Sequence, residues 1–386
     1  MLEAALASGA AERRSVFEVF ARRLPEGRRY GVVAGTGRLV EALRDFRFGE
    51  AELDRLRTAG VVNRQTLDYL SDYRFSGDVW GYAEGECFFP GSPMLIVEAP
   101  FAEGVLLETL VLSILNHDAA VASAASRMVG AAAGRPCIEM GSRRTHEWAA
   151  VAAARAAYVA GFSTTSNLEA GRTYGVPTAG TSAHAFTLVH DDERQAFEAQ
   201  VASLGPGTTL LVDTYDVPRA VRLAVEIAGP QLGAVRIDSG DLLVQAREVR
   251  EQLDSLGATN TRIVVTSDLD EYAIAALAAA PVDSYGVGTS LVTGSGAPTA
   301  GLVYKLVARE GADGSLIGVA KKSKDKLSIG GRKYALRRLN RRGVAEAEVI
   351  GIGDAAVDDG DDRSLLVPLV RDGEVVAAAD LAAARA

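Results

Sequence analysis

Cysteine is almost absent: the 386 residues contain two, Cys87 and Cys137. Two thiols in apolar surroundings cannot staple a chain of this length. That excludes a disulfide scaffold and predicts structural thiols in a reducing compartment. Histidine is nearly as rare, with four, and there is no CxxC, HExxH or paired-His spacing, which speaks against a structural zinc. No GxSxG elbow follows an apolar strand. Aromatic residues make up only 6% of the chain, leaving the core to Ala, Val and Leu. Nor does any apolar run approach the roughly 18 residues of a spanning helix. The longest candidate, 105–115, is interrupted by Glu108 and Thr109. The opening MLEAALASGAAERR has no basic leader followed by an apolar stretch, so no signal peptide is read and a cytoplasmic location is expected. Positive charge is not in excess either: 41 Lys and Arg face 50 Asp and Glu, a formal net charge of -9. That balance argues against a general nucleic-acid binder but leaves room for a local basic pocket. Neither a nucleic acid nor a membrane is expected as a partner.

What is present is a chain long enough for two domains, or for one large α/β barrel with additions. Its 48% hydrophobic and 24% charged residues are those of a folded globular protein. Helical patterns occupy 2–11 and 37–46, 15–24 alternates like a half-buried strand, PGSPMLIVEAPF reads as a strand, and 106–133 is a long Ala-rich helix. Thereafter apolar strands alternate with helices. The strands are PCIEMGSRR, AGFST, VPTAGTSAH, TTLLVDTYD, GAVRIDSGD, RIVVTSDLD and DSYGVGTSL. Near-continuous apolar strands separated by helices predict a parallel sheet, and seven such units predict a closed or nearly closed barrel. After 303 the alternation returns in SLIGVAKKS, KYALRRL and EAEVIGIG. The fold expected is therefore α/β, with an irregular parallel barrel at 106–302. It would be inserted in a smaller α/β sandwich domain built from both chain ends, 1–105 and 303–386.

The ends of the expected strands carry small, polar and charged residues together. In order these are Arg143 and Arg144; Thr181 and His184; Asp213 and Asp216; Arg236, Asp238, Ser239, Gly240 and Asp241; Ser267 and Asp268; and Gly286, Gly288 and Thr289. Taken singly, each Ser or Asp is expected to be a helix cap. Taken together at one barrel mouth they suggest a binding site. Arginine forks suit phosphate or carboxylate, and a Gly-Val-Gly-Thr turn lets backbone N–H groups approach an anion. Asp238 and Asp268 could hold ribose hydroxyls or a hydrated Mg²⁺. His117 and His190 read as packing or surface residues, and His146 as a helix start or a substrate contact. His184 with Asp213 has the parts of an oriented imidazole nucleophile or base. The lysine-rich KKSKDK at 321–326 reads as a solvated loop.

EMGSRRTHEWAA, GFSTTSNLEAGRTYGVPTAGTSAHAF, LLVDTYD, VRIDSGDL and GVGTSLVT, in this order and spacing, resemble nicotinate phosphoribosyltransferases. FARRLPEGRRYGVVAG near the start and LVYKLVA with KKSKDKLSIGGRK near the end extend the resemblance over nearly the whole chain.

The resemblance implies a type II phosphoribosyltransferase, a homodimer with its active sites at the interface. It would join nicotinate to phosphoribosyl pyrophosphate with Mg²⁺ and ATP, in the salvage route to NAD. Carried over residue by residue, it makes His184 the histidine phosphorylated by ATP and Asp213 its carboxylate partner. Thr181 and Arg236 would meet nicotinate, and Arg143 would face phosphate and substrate. Met140 stands where a Phe often packs on the ring, and Ser166 where nicotinamide-using relatives carry an Asp. Arg144, Ser239, Gly240 and Ser267 are expected on the phosphoribosyl side, with Asp238 and Asp268 toward ribose or Mg²⁺. Gly286, Gly288 and Thr289 would hold the 5′-phosphate. Family members usually carry an N-terminal TDxYxLTM-like segment whose tyrosine stacks on the ring. This sequence begins at the Met that would close it, so either the start is misassigned, the sequence is a shortened one, or the aromatic clamp is absent. Rival readings are transfer to another pyridine, nicotinamide or quinolinate, and a catalytically impaired nucleotide-binding homologue.

Overall fold

A computed structural model describes residues 1–321, 328–354, 360–377 and 380–385. Most of KKSKDK lies outside the described residues. Two compact units emerge, one made of Met1–Ala119 with Thr299–Ala386, the other of Ala120–Pro298.

The first unit is built on a seven-stranded antiparallel sheet in the order Leu316–Gly318, Leu302–Glu310, Arg14–Ala21, Leu95–Pro100, Asp78–Gly81, Val367–Arg371 and Glu374–Val375. Arg14–Ala21 was expected to be half-buried; instead every residue after Arg14 is buried. The reason is that both faces of the sheet are covered. Phe17 and Val19 join a core with Leu107, Val111 and Leu115, while Val16 packs with Ile96 and Val307 on the other side. The polar residue that produced the alternation, Glu18, is buried in an ion pair with Lys333 instead of facing water. A second, three-stranded sheet runs Ala345–Ile352, Lys333–Leu339, Asp362–Ser364.

The second unit carries the parallel sheet. Its order is Thr164–Thr165, Cys137–Glu139, Ser284–Val287, Arg262–Val265, Ala234–Ile237, Thr209–Leu211. These are six strands, not seven, and the sheet stays open. The expected strand VPTAGTSAH contributes one isolated bridge, Thr165 to Thr178. Pro177 has no N–H to donate and Gly180 offers no side chain to pack, so the segment continues no ladder. His184 consequently sits at the first position of the short helix His184–Leu188. Val212, Ile237, Val265 and Val287 are buried, as parallel strands covered by helices require.

Candidate active site

The helices of this unit begin with side-chain caps that account for several of the acidic residues at the mouth. Asp216 accepts from Arg219 N at 2.8 Å and Asp241 from Val244 N at 3.2 Å. Asp192 and Asp270 do the same at Gln195 and Ala273. His146 is likewise a cap, accepting from Trp148 N at 3.3 Å. His190 Nδ1 bonds Phe186 O at 2.7 Å and His117 Nδ1 bonds Asp118 at 2.9 Å.

Asp213 and Asp238 cap nothing. Both stand just past their strands, where side chains converge at the carboxyl ends of the sheet. Asp213 Oδ2 accepts from Asp238 N at 2.9 Å and from Ser239 Oγ at 2.7 Å. Its Oδ1 is buried with no hydrogen-bond partner and lies 3.8 Å from His184 Nε2. Asp238 Oδ2 approaches the same nitrogen at 3.8 Å, while Thr214 Oγ1 stands 3.1 Å from His184 Nδ1. The imidazole is thus oriented: Nε2 faces two carboxylates and Nδ1 a hydroxyl.

Arg236 is held from three sides. It donates to Thr266 Oγ1 at 2.9 Å, Thr181 Oγ1 at 2.6 Å, Ser182 O at 3.3 Å and Asp238 Oδ1 at 2.6 Å. Thr266 Oγ1 in turn donates a hydrogen bond to Asp238 Oδ1. Burial pushes the Asp238 carboxyl up, but the bonds from Thr266 and Arg236 and the charges of Arg236 and His184 outweigh it and hold it below the ordinary carboxylate range.

Beside this network opens a cleft of about 200 Å³ lined by Met140, Arg143, Arg144, Arg236, Asp238, Thr266, Ser267, Asp268, Gly286, Gly288 and Thr289. Arg143 and Arg144 reach it from the 3₁₀ turn Ser142–Arg144. Ser267 has a φ of 140°, in the region glycine favours, a local strain of the kind stored at binding sites. Gly286 belongs to the strand, not to a turn. A Cβ there would lie 2.5 Å from Thr266 Cγ2 and 2.8 Å from Met140 Sδ, so close packing requires the glycine.

The structure therefore gathers most of the expected residues into one place. Thr181, His184, Asp213 and Ser239 join through the hydrogen-bonded network, and the remainder line the cleft. Gly240 lies on the exposed turn after Ala234–Ile237. Ser166 is exposed and is not among the cleft-lining residues; its N–H bonds Glu139 O at 2.8 Å. Sequence reasoning missed Thr266, Thr214 and Glu139. Glu139 ends the strand Cys137–Glu139 and Thr266 follows Arg262–Val265, each behind an apolar run that reads as core alone.

Among the described residues no group of three or more His, Cys, Asp or Glu is arranged to hold a metal ion, and no helix is long and apolar enough to cross a membrane. Both cysteines are free, and burial raises the Cys137 thiol to about 12.

An open parallel α/β barrel, with arginines, carboxylates and a glycine-lined cleft at the carboxyl ends of its strands, defines an anion-binding protein of the barrel class. The sequence pattern of the nicotinate phosphoribosyltransferase N-terminal domain matches residues 1–116. A nicotinate phosphoribosyltransferase of Mycobacterium tuberculosis H37Rv, pncB1, is 62% identical over 100% of this chain and 86% of its own. A Bacillus subtilis nicotinate phosphoribosyltransferase is 37% identical over 93% of this chain and 75% of its own. The crystal structure of human nicotinic acid phosphoribosyltransferase superposes with a TM-score of 0.84 at 27% identity, covering 100% of this chain and 90% of that one. This chain belongs to the nicotinate phosphoribosyltransferase family.

Proposed function

We propose that the protein transfers the phosphoribosyl group of phosphoribosyl pyrophosphate to nicotinate, giving nicotinate mononucleotide and pyrophosphate, with ATP hydrolysed in step. The observation that carries this reading is one cleft in which Arg143, Arg144 and Arg236 meet Asp238, Asp268 and the Gly286 to Thr289 stretch. Three guanidinium groups fit a ligand with several phosphate oxygens, and the carboxylates fit ribose hydroxyls. In the reaction the C1–O bond to pyrophosphate breaks as the pyridine nitrogen bonds C1, so positive charge grows on the ribose and negative charge on the leaving group. Fixed cations beside the leaving group lower that barrier. No strong base is needed, since the attacking nitrogen carries a free lone pair.

Asp238 and Asp268 offer hard oxygen ligands in the same cleft, but they form no all-protein cage. They fit a Mg²⁺ that arrives with the pyrophosphate oxygens and keeps several waters. Bound there, the ion would neutralise charge on the leaving group.

His184 would serve the coupling to ATP. Nε2 faces Asp213 and Asp238, and Nδ1, on the other side of the ring, is assigned as the nucleophile. It takes the γ-phosphoryl group, releasing ADP, and water later hydrolyses the phosphohistidine to phosphate. Nicotinate would lie by Met140, Arg236 and Thr181. The preference for acid over amide is assigned to neutral Ser166 and Asn167 at the start of the helix Leu168–Tyr174, with Arg143 near the carboxylate or phosphate. A homodimer is part of the reading. It is supported by Trp148, Leu168 and Tyr215, large side chains at the mouth of a single chain that are 72%, 76% and 61% exposed. The functional limits proposed are 1–105 with 303–386 and 106–302.

Turnover of nicotinate, nicotinamide and quinolinate, each with and without ATP, tests this. Nicotinate mononucleotide is expected from nicotinate alone among the three, stimulated by ATP, and incubation with ATP should leave acid-labile phosphate on the chain. Use of nicotinamide at a comparable rate would overturn the specificity. A His184→Asn variant that keeps its ATP stimulation would overturn the phosphohistidine.

A further inference from the structure

Glu139 ends the strand Cys137–Glu139 and is fully buried. Burial raises its carboxyl above the ordinary range against the bonds from Thr165 and Gly141, and among the described residues no cation offsets that cost. An apolar side chain would fill this position more cheaply; what a carboxylate adds is two acceptor atoms aimed at two different turns. Oε1 accepts the N–H of Gly141, and Oε2 accepts the hydroxyl of Thr165, which is itself fully buried. Thr165 Oγ1 then accepts the N–H of Asn167 at 2.9 Å, and Asn167 Nδ2 donates to Ser142 Oγ at 2.9 Å. Ser142 follows Gly141 in the chain, so the bonds close into a ring. The backbone reinforces it, with Ser166 N donating to Glu139 O at 2.8 Å and Met140 N to Val287 O at 2.8 Å. A residue larger than glycine does not fit at this turn, since a Cβ on Gly141 would meet Val292 Cγ1 at 2.3 Å and Gly288 O at 3.0 Å.

We propose that Glu139 is a positioning residue that locks the turn bearing Met140, Arg143 and Arg144 to the turn bearing Ser166 and Asn167. One buried carboxylate thereby sets the phosphoribosyl and pyridine ends of the site relative to each other. The inference rests on the function proposed above, but it concerns the geometry of two turns and not the chemical step. Because Glu139 touches no substrate, its loss should loosen binding at both ends at once and leave the reacting groups intact.

The experiment is steady-state kinetics on Glu139→Ala, Glu139→Gln, Thr165→Val and the Glu139→Ala/Thr165→Val pair, with calorimetric binding of phosphoribosyl pyrophosphate and thermal unfolding alongside. Formation of nicotinate mononucleotide by the unaltered protein is measured first and stands or falls without Glu139; the proposal is read from ratios of variant to parent. Glu139→Ala and Thr165→Val should each raise KM for both substrates by about tenfold while kcat stays within about threefold, as misplacement of binding groups demands. Glu139→Gln, which keeps the shape and one acceptor, should recover most of that loss. The double variant should be no worse than the worse single one, because both cut the same ring. If Glu139→Ala does not fold, the nearly isosteric Thr165→Val decides alone. A lowered melting temperature with either KM unchanged would overturn the proposal, as would strictly additive effects in the double variant.

Discussion

At the scale of the residue, Asp238 links the parts of the site, shared between Arg236, Thr266 and the approach to His184. Asp238→Asn would leave Arg236 without its anion and, with Oδ1 kept for Arg236 and Thr266, turn an amide donor toward His184 Nε2. The expected outcome is a fall in kcat/KM for phosphoribosyl pyrophosphate of about 100-fold, of the order seen when one preorganised electrostatic contact is lost. The pH dependence has a definite sign. A carboxyl whose folded pKa is depressed stabilises fully above its unfolded value, and loses that contribution only as pH falls through the lower folded value. Between about pH 8 and 5 the Asp238–Arg236 pair should therefore be unchanged. Carboxyl-carbon NMR of Asp238 should show no titration step in that window, and any acid loss of activity there must arise from another group. Cys137, with its thiol pushed up to about 12, should resist alkylation in the native protein at pH 8 and react only on unfolding.

At the scale of the element, Ser284–Val287 shows how a strand interior can shape a site. Gly286→Ala would press a methyl group against Thr266 and Met140. Overpacking of this kind costs about 1–3 kcal/mol, and relief by displacing the Met140 thioether would intrude on the cleft. A lower melting temperature together with a raised KM for nicotinate is expected; a rise in neither would mean the neighbours yield freely. Much of this unit was legible in the sequence. Arg236, Asp238 and Asp268 sit at strand ends as their apolar approaches implied. The segment 176–184 was not legible, because its apolar and small residues mimic a strand while Pro177 denies it the ladder. Nor were Thr266 and Glu139, whose partners, Asp238 and Thr165, are 28 and 26 residues away. No local pattern announces such a bond.

At the scale of the whole molecule, the strand Arg14–Ala21 pairs along most of its length with Leu302–Glu310, from the other end of the chain. A fragment of residues 1–119 would carry that strand with one buried edge unpaired and with Tyr304 missing from its stack on Phe17, where the rings lie 4.9 Å apart. It should stay largely unfolded by circular dichroism and proton NMR, and adding residues 299–386 in trans should restore dispersion; a cooperative fold from 1–119 alone would contradict this. The α/β class, the order of the barrel units and the identity of most mouth residues could be read from the chain alone. Hydrophobic period and turn chemistry are local, and a long run of strand-helix units leaves few ways to close. That the sheet stays open at six strands, and that Glu18 faces Lys333 and not water, came from the folded structure. It alone showed that His184 stands between two carboxylates and that a buried glutamate ties two turns together. Those are contacts between distant residues, settled by which side chains can reach one another once the backbone is in place.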